Sequence, residues 1–262
     1  MTRPTGRAQA TDLQGKGVLV LIPAYNEEAC ISGVVAEVRS ALPSATVVVA
    51  DDGSTDGTRA VASAAGAAVL SLPFNLGVGG ALRLGLRYAQ RTGHEVVVQV
   101  DGDGQHDPAE VPGLIAALAQ ADMVIGARFA GRGEYAVRGP RRWAMVLLAA
   151  VLGRLAGTQL TDVTSGFRAF GPRAITLLAH TLPTEYLGDT VDAIVIGSRA
   201  GLRIRQQPVI MRPRQGGEPS QSPARAALYL GRAGLALLLA AVRKDRWPDL
   251  GPAPYSTEVE PT

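Results

Sequence analysis

Two carboxylates one residue apart, Asp101 and Asp103, follow the apolar run Val96-Val-Val-Gln-Val100. At a strand end both can point at one divalent cation, and an all-oxygen ligand set suits Mg2+ or Mn2+. A cation with few protein ligands keeps positions open for diphosphate oxygens, where it stabilises charge on a departing nucleoside diphosphate. Gln105 offers a further, neutral oxygen. The same acidic turn would also cap a helix beginning at Pro108, so the pair alone does not define a metal site. An EF-hand is excluded, because Gln105 and His106 fill the fifth and sixth loop positions and Pro112 stands where the bidentate Glu belongs.

A second acidic turn, Asp51-Asp52-Gly53-Ser54, supplies acceptors for the N–H groups of a base or for a ribose hydroxyl, with a cap and turn as the purely structural alternative. Asn75-Leu-Gly-Val-Gly-Gly-Ala-Leu82 resembles a dinucleotide loop only superficially, since the third glycine of G-x-G-x-x-G would fall on Leu82. His94 and His180 sit where solvated or capping roles are expected. His106, beside the metal loop, either approaches the diphosphate or hydrogen-bonds to the turn.

These residues need a scaffold that gathers them. Short β-branched runs alternate with Ala/Leu-rich helical stretches, the pattern of an α/β fold with a mostly parallel sheet and helices on both faces. Strands are predicted at Gly17 to Ile22, Thr46 to Ala50, Ala67 to Leu72, Glu95 to Val100 and Asp122 to Ala127, with helices starting near Glu28, Gly57, Gly80, Pro108 and Trp143. The polar runs fall at the strand-to-helix joints, so a parallel sheet lines them along its carboxyl edge. Residues 128–209 read as a second, less regular half.

The chain has 262 residues, 47% of them hydrophobic, enough for one large domain, placed at 17–223 after a disordered leader at 1–16. The single cysteine, Cys30, excludes an internal disulfide and points to a reducing, cytoplasmic setting. Trp143 to Leu152 and Ala233 to Val242, the longest apolar runs, have ten residues each, about half of the roughly 20 that a spanning helix needs. Between Arg199 and Arg246 ten Lys and Arg face only Glu218 and Asp245, a local net charge of +8. Residues 224–246 read as a helix with Arg225, Arg232 and Arg243 on one stripe and Ala, Leu and Gly over most of the rest, suited to an anionic bilayer interface or to packing on the protein. A mobile loop is expected at Met211 to Pro223 and a disordered tail at 247–262.

Five runs in order, Pro23-Ala-Tyr-Asn-Glu27, Asp51-Asp-Gly-Ser-Thr-Asp-Gly-Thr58, Asp101-Gly-Asp-Gly-Gln-His106, Gly126-Ala-Arg-Phe129 and Thr164-Ser-Gly-Phe-Arg168, resemble the family 2 glycosyltransferases of GT-A fold, within them the polyprenyl-phosphate (dolichol-phosphate-mannose-synthase-like) enzymes. The resemblance implies inverting transfer of one sugar from a UDP- or GDP-sugar to a polyprenyl phosphate. It implies that Pro23, Ala24, Tyr25, Glu27, Asp51, Asp52, Asp101 and Gly102 meet the nucleotide, and that Asp101, Asp103 and Gln105 hold Mg2+ or Mn2+. It assigns Arg128, with Arg141 or Arg142, to the acceptor phosphate, and Ser165, Arg168, Arg212 and Arg214 to the acceptor or diphosphate. Similar enzymes include both membrane-anchored forms and anchorless ones that rely on a small integral membrane partner, and the resemblance implies such a partner here.

A phosphate monoester with a second pKa of about 6 is largely dianionic at pH 7, so as nucleophile it needs arginines rather than a general base. A sugar hydroxyl acceptor would instead need a carboxylate base, for which Asp189 in Glu185-Tyr-Leu-Gly-Asp189 is best placed. The Q-x-x-R-W run of processive synthases is absent, which favours single transfer.

Overall fold

A computed structural model describes residues 17–128, 140–184 and 189–212 together with Trp247 and Leu250, residues 140–144 through their backbone only. The expected leader, the basic helix at 224–246, most of the loop at 211–223 and most of the tail lie outside the described residues. Trp247 and Leu250, placed in the expected tail, are partly buried against the core.

The five strands expected from apolar runs are present as β1 (Val18–Ala24), β2 (Thr46–Asp51), β3 (Ala68–Ser71), β4 (Val96–Gln99) and β5 (Met123–Ala127). Two more complete the sheet, β6 (Arg168–Phe170) and β7 (Ile204–Pro208), in the order β3-β2-β1-β4-β6-β5-β7. β1 runs parallel to β2 and β4, with Leu19 opposite Thr46 and Val18 opposite Val96, and β5 runs parallel to β7. Among the described residues only β6 is reversed: it lies antiparallel between β4 and β5, with Phe170 opposite both Val97 and Met123. Three residues are too few to show a period, which is why the second half read as irregular.

Alternate residues of each strand enter opposite layers, as the period of two requires. Leu19, Leu21, Val97, Met123 and Phe170 join one cluster, where they meet helices α3 (Val78–Arg91), α5 (Pro140–Ala156), α6 (Pro172–Thr181) and α7 (Asp189–Arg199). Val20, Ile22, Val98 and Val124 join the other, against α1 (Ile31–Ala41), α2 (Thr58–Ala64) and α4 (Val111–Ala117). Both faces are thus covered, and β1 is buried at all seven positions.

Helix α3 lies close on the sheet because its inner face is built from small residues. Gly79, Gly80, Ala81 and Gly85 are buried with Leu82 and Leu86, and a Cβ on Gly85 would run into the Leu21 side chain, itself fully buried. Gly33 in α1 is exposed and a Cβ there meets nothing within 4 Å. The two glycines therefore carry opposite expectations in urea unfolding: Gly85→Val should cost about 2 kcal/mol by overpacking, while Gly33→Ala should gain up to about 1 kcal/mol from helix propensity.

Candidate active site

The loops after β1 and β2 are knitted together at the carboxyl edge. Asp52 N–H donates to Ala24 O at 2.9 Å, extending the ladder by one bond. Asn26, at φ 54°, turns the first loop, a conformation that Asn tolerates better than most residues. Its N–H donates to Ser54 Oγ at 3.0 Å and its Oδ1 accepts from Thr55 N–H at 2.9 Å. Glu27 N–H donates to Thr58 Oγ1 at 2.9 Å, and Gly57 N–H donates to Glu28 Oε2 at 2.8 Å.

Asp51 and Asp52, both expected to meet the nucleotide, are buried and have protein partners. Asp51 accepts from Ser54 N–H at 3.2 Å and from Arg59 Nε–H at 2.6 Å, so it shapes its own turn. Asp52 accepts from Leu76 N–H and Gly77 N–H, both at 2.7 Å, one on each oxygen, which fixes the chain entering α3. Burial pushes the Asp52 carboxyl above the usual carboxylate range, against the pull of those two N–H groups, and Asp51 beside it adds to the rise. Gly53, at φ 73°, allows the loop before α3 to pass, since a Cβ there would sit 2.6 Å from the Phe74 carbonyl carbon. Pro23 and Ala24 end β1, Gly102 lies against Pro23 O and the Glu27 side chain, and Tyr25 is exposed at the rim.

The acidic loop follows β4. The helical turn at Pro108–Glu110 is capped by Asp107, whose Oδ1 accepts from Ala109 N–H at 3.0 Å. Asp101 and Asp103 are therefore not the cap, which removes the structural alternative for that pair. Asp103 Oδ1 accepts from Gln105 N–H at 3.0 Å, across Gly104 at φ 75°. The Asp101 side chain is 37% exposed. Among the described residues no group of three or more His, Cys, Asp or Glu is placed to hold a metal ion by itself. Asp101, Asp103 and Gln105 share this loop, and their donors, all oxygen, are of the kind that suits a hard cation completing its coordination with donor oxygens.

His106 resolves toward the turn rather than the diphosphate. Its Nδ1 accepts from Asp101 N–H at 2.9 Å, its ring stacks on Phe167 with centroids 4.6 Å apart, and it is buried. Burial lowers its pKa, opposed by Asp101 and Asp103 and assisted by Arg128 and Arg168, so the ring is neutral and the proton sits on Nε2, 3.5 Å from Asp101 Oδ2. The other histidines hold loops and helices: His94 bridges Thr92 and Thr46 hydroxyls at 2.7 and 2.9 Å, and His180 Nε2 meets Gln90 Oε1 at 3.0 Å.

Arg128, directly after β5, forms a two-point pair with the fully buried Asp162, Nε to Oδ2 at 2.7 Å and Nη2 to Oδ1 at 3.1 Å, and its Nη2 also donates to Thr164 Oγ1 at 2.8 Å. Ser165 Oγ accepts from Phe167 N–H at 3.3 Å. Arg168, expected at the acceptor or diphosphate, is instead 1% exposed; its Nη2 donates to Gln99 Oε1 at 2.8 Å and to Asp189 Oδ2 at 2.6 Å. Asp189, the candidate base, thus stands at the start of α7 as the counter-ion of a buried arginine. Arg212 turns toward α1 and the acidic loop, with Nη1 2.6 Å from Glu37 Oε1 and Nη2 2.8 Å from Asp107 Oδ1, pairings that raise its pKa further. Arg141 and Arg142 lie in the first turn of α5, their side chains outside the described residues, as is Arg214.

Sequence reasoning missed Asp162 and Gln99. Gln99 left a signal, as the one polar residue in Val96-Val-Val-Gln-Val100, but Asp162 left none, because it meets Arg128 across 34 residues.

Residues 19–176 match the profile of glycosyl transferase family 2. The chain is 35% identical over 215 residues to an undecaprenyl-phosphate mannosyltransferase of Micrococcus luteus, covering 78% of this chain and 87% of that protein. It is also 35% identical over 173 residues to a polyprenol monophosphomannose synthase of Mycolicibacterium smegmatis, covering 63% of this chain and 65% of the relative. Among solved structures, glucosyl-3-phosphoglycerate synthase of Mycobacterium tuberculosis in complex with Mn2+, UDP-glucose and phosphoglyceric acid superposes with a TM-score of 0.68 at 25% identity, over 93% of this chain and 87% of that one. The α/β sheet is thus of GT-A type, and the chain belongs to glycosyl transferase family 2 as a glycosyltransferase.

Proposed function

We propose that the protein moves one sugar from a nucleotide diphosphate sugar to a polyprenyl phosphate, with inversion at the anomeric carbon, at the cytoplasmic face of a membrane. The observation that carries the choice of acceptor is the Arg168–Asp189 pair at 2.6 Å. A hydroxyl acceptor needs a carboxylate free to take its proton, whereas Asp189 is committed to neutralising a buried guanidinium. A dianionic phosphate needs no such base. The two polyprenyl-phosphate relatives, each 35% identical, point the same way.

In this reading the Pro23 to Glu27 edge and the Asp51-Asp52 turn form the nucleoside side of the crevice. A Mg2+ or Mn2+ held by Asp101 and Asp103, with Gln105 as neutral donor, supplies charge neutralisation for the departing diphosphate. Arg128, oriented by Asp162 and Thr164, and Arg141 or Arg142 hold the acceptor phosphate opposite the leaving group. One phosphate oxygen forms the new bond to the anomeric carbon while the bond to the diphosphate oxygen breaks, and the electron pair leaves with the nucleoside diphosphate. Attack from the opposite face inverts the centre.

The acceptor is lipid-bound, so the protein has to meet a membrane, and no helix among the described residues is long and apolar enough to cross one. Support for a peripheral contact comes from α5, which exposes Val146, Leu147, Val151 and Leu155 with Arg154 among them, while Leu148, Ala149 and Leu152 face the core. An apolar stripe bearing a cation suits the headgroup boundary of an anionic bilayer, alone or beside a small integral membrane partner.

Two measurements test these assignments. With a panel of UDP- and GDP-sugars, labelled sugar should enter an organic-extractable, acid-labile product only with Mg2+ or Mn2+, and Asp103→Ala should lower kcat about 10²-fold or more. Transfer to a sugar hydroxyl with loss of turnover in Asp189→Asn would replace this reading by the base mechanism. In flotation with anionic vesicles, the double variant Leu147→Glu with Val151→Glu should lose most of its membrane recovery, while turnover of a short, water-soluble prenyl phosphate stays near the wild-type value.

A further inference from the structure

We propose that Gln99, Arg168 and His106 are positioning residues that fix the Asp101 carboxylate before any cation or donor arrives. The inference rests on the reading of Asp101 as a metal ligand.

Asp101 is approached from two sides. Gln99 Nε2–H donates to its Oδ1 at 3.3 Å, and His106 Nε2 lies 3.5 Å from its Oδ2. Each donor is itself oriented by a group that leaves it no alternative. A guanidinium only donates, so Arg168 Nη2, at 2.8 Å, obliges Gln99 to present Oε1 to it and therefore to turn its NH2 toward Asp101. Arg168 is held in turn by Asp189, through Oδ2 at 2.6 Å and the backbone carbonyl at 3.3 Å, and by the face of Phe170 at 5.6 Å. On the other side, the Asp101 N–H occupies His106 Nδ1, which makes Nε2 the donor, and Phe167 holds the ring plane by stacking.

The run Thr164-Ser-Gly-Phe-Arg168 thereby acquires a role different from the phosphate contact expected of it. Phe167 backs His106 and Arg168 sets Gln99. Gly166 leaves the room they need, since a Cβ there would stand 2.7 Å from Asp101 Oδ1. The Gln99 hydrogen bond is long for one to a carboxylate, and His106 Nε2 stands further off at 3.5 Å, so the two orient the carboxylate while leaving its charge for a cation. Groups of this kind, which orient a ligand without touching the metal, typically change metal affinity 10–100-fold when lost.

The test uses the full-length protein with UDP and Mn2+, reading free Mn2+ by electron paramagnetic resonance. Gln99→Met, close in volume but unable to donate, should weaken Mn2+ binding about 10-fold. The Mn2+ concentration for half-maximal turnover should rise in parallel, while kcat at saturating Mn2+ changes little. Arg168→Lys, whose shorter chain draws its nitrogen back from Gln99 and which lacks the Nη1 donor to the Asp189 carbonyl, should move both values the same way and provides a second variant if Gln99→Met does not fold. Folded variants that bind Mn2+ within about twofold of wild type would overturn the positioning role alone. A wild-type protein that does not bind Mn2+ would overturn the metal reading and this inference together.

Discussion

A guanidinium shut away from water must find a counter-charge and acceptors, and the second half of this fold is arranged around that demand at Arg168. Arg168 opens β6, the one reversed strand among the described residues, wedged between β4 and β5. From there it reaches sideways to Gln99 on β4 and forward to Asp189 at the head of α7. Asp189 is well suited to the task, because a carboxylate in the first turn also faces the positive end of the helix dipole. A single side chain so ties the antiparallel insertion, the acidic loop and α7 into one unit. Its Nε, buried without a hydrogen-bond partner among the described residues, shows that this placement is costly and is kept nonetheless.

The first half solves a related problem by other means. Parallel strands leave their terminal N–H and C=O groups unpaired at the carboxyl edge, and loops there need internal partners if they are to hold a shape. Asn26, Ser54, Thr58 and Glu28 supply them between the first two loops, and Asp52 supplies two more to the chain entering α3. Burying the Asp52 carboxylate carries a penalty, visible in its raised pKa, that the two N–H groups only partly offset. Rigidity of the crevice is what that penalty secures.

Much of this was legible in the sequence because it depends on local pattern. The five strands of continuous apolar residues and the polar joints after β1, β2 and β4 follow from composition alone, since a sheet covered on both faces leaves nothing for polar residues except its ends. What was not legible depends on pairing across the chain. The run Thr164 to Arg168 suggested a ligand-binding segment, yet its arginine is spent on Gln99, 69 residues away, and on Asp189. Asp51 has Ser54 and Arg59 as partners within the protein, pairings that the motif Asp51-Asp52-Gly53-Ser54 does not announce. An arginine or aspartate in a motif looks the same whether it faces a phosphate or an internal partner, and only the fold decides.

The same uncertainty of partner applies to Arg212, and its resolution bears on how the chain beyond it is anchored. Met211 pairs with His106 as a short antiparallel bridge, Arg212 N–H donates to Gln105 O at 2.9 Å, and the Arg212 side chain is shared between Glu37 and Asp107. The acidic loop is thus fastened from behind by the two residues that precede the basic run Pro213-Arg214. Surface ion pairs such as these contribute little to stability on their own. Their value is geometric: a segment leaving residue 212 starts from a point fixed relative to His106, and through His106 relative to Asp101.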